Sequence, residues 1–276
     1  MFRYTSLYFD DPPVNGRAID VWIPSQRPLR PQTLFFVHGG GWRQGRRDLM
    51  HALMREYYEK GFACVSVDYR LGSATVPVQL SDVREGLVLA DAHLREQGIS
   101  QPFVLHGGSA GGHLALLAGL APQGDCGESF SEPTPSIVGI VATCAPVTFE
   151  PWEDIFPGGW ASMQEAVGVS YEDAPLRYKE VSPERYATAD SPPMLFLLGE
   201  CEHMFPNPLT IAFVRRLQAL GGSADYRVYP AAEHGFFYSL ERKSQRMAFE
   251  DVLTFLEGLA ETKKSDLSGR GEAEST

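Results

Sequence analysis

A chain of 276 residues that is 43% hydrophobic and 21% charged has the composition of a folded globular protein, which excludes a disordered, collagen-like or coiled-coil chain. One hydrophobic core can still serve a chain of this length, so we expect one domain rather than two. The 24 Lys and Arg against 35 Asp and Glu give a net charge of −11, which repels nucleic acids and anionic membrane surfaces.

Neither a membrane anchor nor a cysteine framework is indicated. No apolar run approaches the roughly 20 residues that a membrane-spanning helix needs. The N-terminal segment lacks the apolar core of a signal peptide, which predicts a cytoplasmic location, although a secreted chain whose signal peptide had been removed would read the same way. The cysteines form no CxxC pair and lie far apart, so neither a zinc site nor disulfides are expected: Cys64, Cys126, Cys144 and Cys201.

Short apolar runs alternate with amphipathic segments along the chain. In order, the pattern predicts strands at 4–9, 17–24 and 33–37, a helix at 48–59, a strand at 62–67, a helix at 78–97, a strand at 103–105, a helix at 113–120, strands at 137–144 and 194–198, a helix at 208–220, a strand at 224–229 and a helix at 247–259. This alternation predicts an α/β fold with a mostly parallel central sheet and helices on both faces. The turn signal Asn15-Gly16 predicts that the first two strands form an antiparallel N-terminal edge.

Two segments depart from the alternation. Residues 146–190 are rich in aromatic residues, Pro and Gly, and so long a stretch without regular structure favours a small cap insertion over the active site. Ordinary packing against the sheet edge is the alternative. The polar tail at 263–276 is predicted to be disordered, which leaves residues 1–262 as the single folded domain.

Residues 107–111 fit the pattern G-x-S-x-G and lie between a short apolar strand and a helix rich in Ala and Leu. In such a strand-to-helix turn a serine is held in a strained conformation, and its neighbours two residues away must be small. The pattern therefore predicts Ser109 as a nucleophile. A glycine-rich turn that only packs helix against strand is the alternative.

A glycine run, His38-Gly39-Gly40-Gly41-Trp42, follows the strand at 33–37. Backbone N–H groups can stabilise the oxyanion formed by attack on a carbonyl only where no side chain blocks the approach. We therefore predict that the N–H groups of Gly40, Gly41 and Ala110 form an oxyanion hole. Trp42 either lines the substrate pocket or packs beneath the loop.

Four motifs carry a resemblance to a known fold: HGGGW at 38–42, DYRL at 68–71, GGSAGGH at 107–113 and EHGF at 233–236. They resemble the α/β-hydrolase fold, and most of all the hormone-sensitive-lipase-like carboxylesterases with the acetyl-xylan/feruloyl esterase and kynurenine formamidase groups. The resemblance extends from about residue 18 to 260. It implies the α/β-hydrolase fold and a serine hydrolase that needs no metal or organic cofactor.

The resemblance also implies the order nucleophile, acid, base along the chain. His234 follows the strand at 224–229 and is the predicted base. Relatives usually carry Asp in G-x-x-D-x-x-V-P, where this chain has Glu202; Glu200 is the competing candidate and Asp173 a more remote one. The predicted triad is therefore Ser109, His234 and Glu202.

The predicted substrate is a small-molecule carboxylic ester with a short-chain or aromatic acyl group, and a homodimer is left open. Four aromatic residues are expected to contact the substrate: Trp42, Trp152, Trp160 and Phe205. A hydrolase of another acyl bond, such as N-formylkynurenine or a lactone, is one alternative. A catalytically silent binding module on the same scaffold is the other, although the presence of both Ser109 and His234 argues against it.

Overall fold

The computed structural model describes residues 4–10 and 17–273, with side chains described as far as residue 261. Within these residues, the apolar runs of the sequence form one eight-stranded sheet. Its strands are β1 (Thr5–Tyr8), β2 (Ala18–Trp22), β3 (Thr33–Val37), β4 (Ala63–Val67), β5 (Phe103–Gly108), β6 (Ile137–Thr143), β7 (Met194–Cys201) and β8 (Ala224–Glu233).

The strand order across the sheet is β1-β2-β4-β3-β5-β6-β7-β8. Strands β1 and β2 pair antiparallel, β2 pairs antiparallel with β4, and every pair from β4 to β8 is parallel. The predicted mostly parallel sheet with an antiparallel N-terminal edge is therefore confirmed. The Asn15-Gly16 turn lies outside the described residues.

Helices cover both faces of this sheet, and each face has its own apolar core. Neighbouring residues of β3 show the division, because Phe35 packs with the helices of one face and Phe36 with those of the other. Helices α2 (Val76–Glu96), α3 (Ala110–Leu120) and α6 (Asn207–Ala219) cover the first face, and α1 (His51–Glu59) and α7 (Lys243–Ala273) cover the second.

The segment at 146–190 contains helices that the sequence analysis did not predict, α4 (Pro157–Val167) and α5 (Pro175–Glu180). Each begins with a proline at its first position, which suits a helix start, and α4 ends at Gly168 with a left-handed φ of 83°. The segment packs on the first core through Met163 and Tyr178, both fully buried. Three of its residues, Phe156, Gly158 and Ser162, also line the pocket in front of Ser109. The segment therefore both packs on the core and borders that pocket.

Helix α7 is longer than its predicted bounds and continues through residue 273. It therefore includes the backbone of most of the segment for which the sequence analysis expects disorder, and the disorder of that tail stays a prediction. Among the helices of the described chain, none has both the length and the apolar character that a bilayer crossing requires.

Candidate active site

Ser109 lies in the sharp turn between β5 and α3. Its backbone has φ 53° and ψ −124°, a conformation that is strained for a residue with a side chain. The flanking glycines are required by close backbone approach: a Cβ on Gly107 would lie 2.4 Å from the backbone of Gly111, and one on Gly111 would lie 2.2 Å from the carbonyl oxygen of Val37. The sequence thus folds into a turn that holds the Ser109 hydroxyl at the carboxyl edge of the sheet.

His234 connects Ser109 with Glu202. Its Nε2 lies 2.8 Å from the Ser109 Oγ, which donates to it, and its Nδ1–H donates to Glu202 Oε2 at 2.7 Å. The three side chains come from the ends of β5, β7 and β8, which is where parallel strands bring distant residues of the chain together. The structure therefore brings together the three residues predicted as nucleophile, base and acid.

The Glu202 carboxylate is held by the loop that follows β7. Its second oxygen, Oε1, accepts from the N–H of Met204 at 2.7 Å and from that of Phe205 at 3.2 Å. Burial by itself would raise the pKa of Glu202, but the hydrogen bond and charge of His234, with smaller contributions from the Met204 N–H and the Cys144 thiol, hold this pKa below its ordinary value. Glu202 is therefore an ionised carboxylate facing the imidazole.

The competing acid, Glu200, forms its hydrogen bond with a group other than His234. Its Oε2 accepts from the backbone N–H of Ala231 at 2.8 Å, and its side chain is exposed. Asp173 pairs with the hydroxyl of Ser170 at 2.6 Å, in the segment at 146–190. Neither carboxylate contacts His234 in the structure.

Among the described residues, Cys144 is the one further side chain that approaches both acid and base closely enough to form a potential ligand set. One atom of each of Cys144, Glu202 and His234 lies within 4.8 Å of the others. Burial raises the pKa of the Cys144 thiol, and the neighbouring Glu202 carboxylate raises it further, so the sulfur is a protonated donor rather than a thiolate. Metal ligation requires the thiolate, so the chemistry of this group favours hydrogen bonding over a metal site.

The glycine run after β3 lies beside Ser109. Gly40 and Gly41 have φ values of 128° and 59°, which glycine adopts without strain. Their N–H groups donate to no other backbone group in the described chain, whereas the Gly40 carbonyl accepts from the N–H groups of Arg43 and Gln44. Two of the three predicted oxyanion donors are therefore free at the wall of the pocket. The third, Ala110, is the first residue of α3, where an N–H has no acceptor within the helix.

His38 supports the loop from beneath. It is fully buried, its Nδ1–H donates to the Gly39 carbonyl at 2.8 Å, and its ring stacks on Tyr69 with centroids 4.3 Å apart. The Tyr69 hydroxyl donates to the His38 carbonyl at 2.9 Å. Burial lowers the pKa of His38, so the ring is neutral and structural.

Tyr238 was not singled out in the sequence analysis. Its hydroxyl lies against Gly39, since a Cβ on Gly39 would lie 2.4 Å from that oxygen. The same hydroxyl lies close to Gly108, at the end of β5. Tyr238 therefore spans the glycine run and the serine turn. The sequence around Tyr238 does not indicate this contact, because it depends on how the loop after β8 folds back against β3 and β5.

A pocket of about 450 Å³ opens in front of Ser109 and His234. The predicted contact residues Trp42 and Phe205 line it, whereas Trp152 and Trp160 do not. Trp160 instead packs against Tyr178, with ring centroids 5.5 Å apart, and Trp152 packs on the outer side of Phe205. Phe156, from the aromatic segment at 146–190, and Gly235, beside the predicted base, also line the pocket, together with residues that the sequence analysis did not assign to the site: Arg43, Gln44, Gly158, Ser162, Met204 and Tyr238.

Trp42 is fixed in this wall by a buried hydrogen-bond chain. Its Nε1–H donates to Nδ1 of His113 at 3.2 Å, and Nε2–H of His113 donates to the carbonyl of Val181 at 2.8 Å. His113 is thus a packing residue. The indole therefore both lines the pocket and packs beneath the glycine loop.

Comparison with known proteins gives a consistent family assignment. Over 249 residues the chain is 31% identical to esterase LipC of Mycobacterium tuberculosis, and over 265 residues it is 30% identical to esterase LipQ of the same organism, covering 85% and 92% of this chain. The chain spans 60% and 63% of the length of these two relatives. A solved structure of an esterase from Thermogutta terrifontis with bound propionate superposes with a TM-score of 0.74 at 21% identity, covering 94% of both chains. The BD-FAE family model matches residues 19–217, so the chain belongs to the BD-FAE family and has the α/β-hydrolase fold.

Proposed function

We propose that this chain is a serine carboxylesterase that hydrolyses esters with short-chain or aromatic acyl groups. The observation that carries the proposal is the hydrogen-bonded series from Ser109 through His234 to Glu202, at a strained turn that faces an open pocket. The names of the mycobacterial relatives, both esterases, support the same class of reaction.

The reaction begins with attack of the Ser109 Oγ on the ester carbonyl carbon, while His234 Nε2 takes the hydroxyl proton. The carbonyl oxygen becomes an oxyanion that accepts hydrogen bonds from the backbone N–H groups of Gly40, Gly41 and Ala110. His234 then gives its proton to the departing alcohol, which leaves an acyl group on Ser109. Water attacks this acyl group with His234 as base, and the carboxylic acid departs.

Glu202 acts through His234. Its carboxylate accepts from Nδ1–H, which keeps Nε2 free to accept the serine proton, and its negative charge stabilises the imidazolium that forms. The lowered pKa of Glu202 keeps that charge in place.

The pocket favours short or planar acyl groups. Its volume of about 450 Å³ is at the small end of ligand sites, and the rings of Trp42, Phe156 and Phe205 line it. Phe156 and Ser162 come from the segment at 146–190, which we propose to be a small cap. The same triad chemistry serves the hydrolysis of N-formylkynurenine or a lactone, so the substrate panel includes both.

The decisive experiment combines covalent labelling with a substrate panel. A fluorophosphonate should label the wild-type chain at Ser109 and leave Ser109→Ala unlabelled, and the same substitution should abolish turnover. In the panel, p-nitrophenyl acetate to hexanoate should be hydrolysed faster than p-nitrophenyl dodecanoate, formylkynurenine and lactones. Labelling of Ser109→Ala would overturn the nucleophile assignment. A wild-type chain without label or turnover would indicate a silent binding module.

The partner in this proposal is the small-molecule ester itself. A cytoplasmic location stays a prediction of the sequence, and a homodimer stays open.

A further inference from the structure

A second space lies behind the wall of the catalytic pocket. Phe205 lines that pocket on one side and, on the other, a void of about 10 Å³. The void shares Trp152 and Leu209 with an outer cleft of about 310 Å³. Among the described residues, Phe205 is the one that lines both the catalytic pocket and the void.

The outer cleft has the chemistry of a site for an apolar group. Its floor is made of apolar side chains, whereas charged residues belong to the same lining: Glu150, Glu184 and Arg216. An apolar floor with a few polar groups is typical of small-molecule sites. The floor consists of Val147, Pro151, Trp152, Leu209, Ala212 and Phe213.

The Phe205 ring separates the two spaces. The side chain is only 5% exposed, and its ring centroid lies 5.6 Å from that of His234 on the catalytic side and 6.4 Å from that of Trp152 on the other. The Phe205 backbone is held independently of the ring, because its N–H donates to Glu202 Oε1. A smaller side chain at this position would therefore remove the partition while the acid loop keeps its anchor.

We propose that Phe205 sets the length limit of the substrate's apolar arm, and that the cleft floored by Trp152 is the space that a longer arm enters once the ring is removed. This inference rests on the proposed esterase function. The occupant is one arm of the ester, because Phe205 is the residue that lies between the void and the pocket that holds Ser109.

The test compares kcat/KM within each variant for two series: p-nitrophenyl esters from butyrate to decanoate, and alkyl acetates of increasing alcohol length. Each buried methylene is worth about a fourfold gain in binding. Phe205→Ala should therefore raise the long-to-short ratio in one of the two series by at least about tenfold. The ratio cancels any general loss of turnover that the substitution causes. Phe205→Leu, which keeps an apolar side chain in the core, should raise the long-to-short ratio by less. It takes the place of the alanine variant in the test if that variant does not fold.

Phe156→Ala is the matched control, because Phe156 lines the same pocket but borders neither the void nor the cleft. It should not raise the ratio. In the Phe205→Ala background, Leu209→Trp should fill the opened space and return the ratio toward that of the wild type.

Three outcomes oppose the inference. An unchanged ratio for folded Phe205→Ala and Phe205→Leu in both series, with wild-type hydrolysis of p-nitrophenyl butyrate intact, overturns this inference and leaves the proposed function standing. An equal rise in Phe156→Ala would assign the length limit to the part of the pocket that Phe156 lines instead. Absence of ester hydrolysis in the wild type would remove both proposals.

Discussion

Glu202 Oε2 lies 2.7 Å from Nδ1 of His234, although its side chain is one methylene longer than the aspartate usual in the families this chain resembles. The loop after β7 accommodates the extra length by holding the other oxygen through the N–H groups of Met204 and Phe205. The pairing of β7 with β8 is irregular between Gly199 and Cys201, just before this loop. The carboxylate is thus fixed at both oxygens, one by the imidazole and one by the backbone.

Glu202→Gln is expected to keep the fold and lower kcat by about three to four orders of magnitude. The amide can orient the imidazole in the wrong tautomer and carries no charge to offset the imidazolium. Steady-state kinetics on p-nitrophenyl butyrate measure the loss, and circular dichroism checks the fold.

Glu200→Gln is the matched control for that variant. Glu200 accepts from Ala231 N–H and does not contact His234, so its loss should leave kcat nearly unchanged. The reverse pattern, with a large loss in Glu200→Gln and none in Glu202→Gln, would move the acid two residues upstream.

Glu202→Asp tests whether the loop is built for the longer side chain. The shortened carboxylate moves by about 1.5 Å and cannot keep both the imidazole and the two N–H donors in reach. We expect kcat to fall by about 10- to 100-fold, since a displacement of this size in an active site has that effect. Wild-type rates in Glu202→Asp would contradict a loop fitted to glutamate.

Tyr238→Phe is expected to loosen the glycine loop. The substitution removes the hydroxyl that lies against Gly39 and Gly108, and a shift of the oxyanion donors that costs about 1–2 kcal/mol in the transition state corresponds to roughly a tenfold loss in kcat. Tyr229→Phe is the control, because the Tyr229 hydroxyl donates to Asp251 away from the pocket and its loss should affect stability alone. An equal kcat for both variants would show that the Tyr238 hydroxyl has no part in positioning the loop.

The sequence predicted those parts of the site that depend on local signals. A serine between glycines at a strand-to-helix turn, three glycines after a strand and a histidine after the last strand are each visible within a few residues, and the strand order confirms the predicted sheet. The residues that line the pocket were harder to predict from the sequence, because they depend on how segments without a periodic pattern pack. Trp152 and Phe156 lie four residues apart in the same segment, yet only Phe156 lines the pocket. Tyr238 meets Gly39 across almost two hundred residues, and no local pattern marks that approach.

Two buried histidines make the stability of the fold depend on pH. Burial lowers the pKa of His106 and of His113 to about 3, against about 6.5 in the unfolded chain. The unfolded chain therefore binds more protons at acid pH. The cost of keeping each histidine neutral in the fold is absent above about pH 6.5 and grows as pH falls toward 3; at pH 5 it lowers the free energy of unfolding by about 2 kcal/mol for each.

His106→Phe should remove one of these acid-dependent costs. Both ring nitrogens of His106 lack a hydrogen-bond partner in the described structure, and the ring packs against Phe36 and Phe237 with centroids 5.0 and 5.7 Å away. Phenylalanine keeps this packing and does not titrate. We expect little change in the free energy of unfolding at pH 7 and a gain of about 2 kcal/mol relative to wild type at pH 5, measured by urea denaturation.

His113→Phe provides the contrast, because His113 has the same lowered pKa but uses both nitrogens. Its replacement leaves the Trp42 Nε1–H and the Val181 carbonyl unpaired, which should lower the free energy of unfolding by about 1–3 kcal/mol at pH 7. The free energy of unfolding should also change less between pH 7 and pH 5 in this variant than in the wild type, since the titrating group is gone. If the difference in unfolding free energy between pH 7 and pH 5 is the same in both variants as in the wild type, the buried histidines are not the source of acid instability.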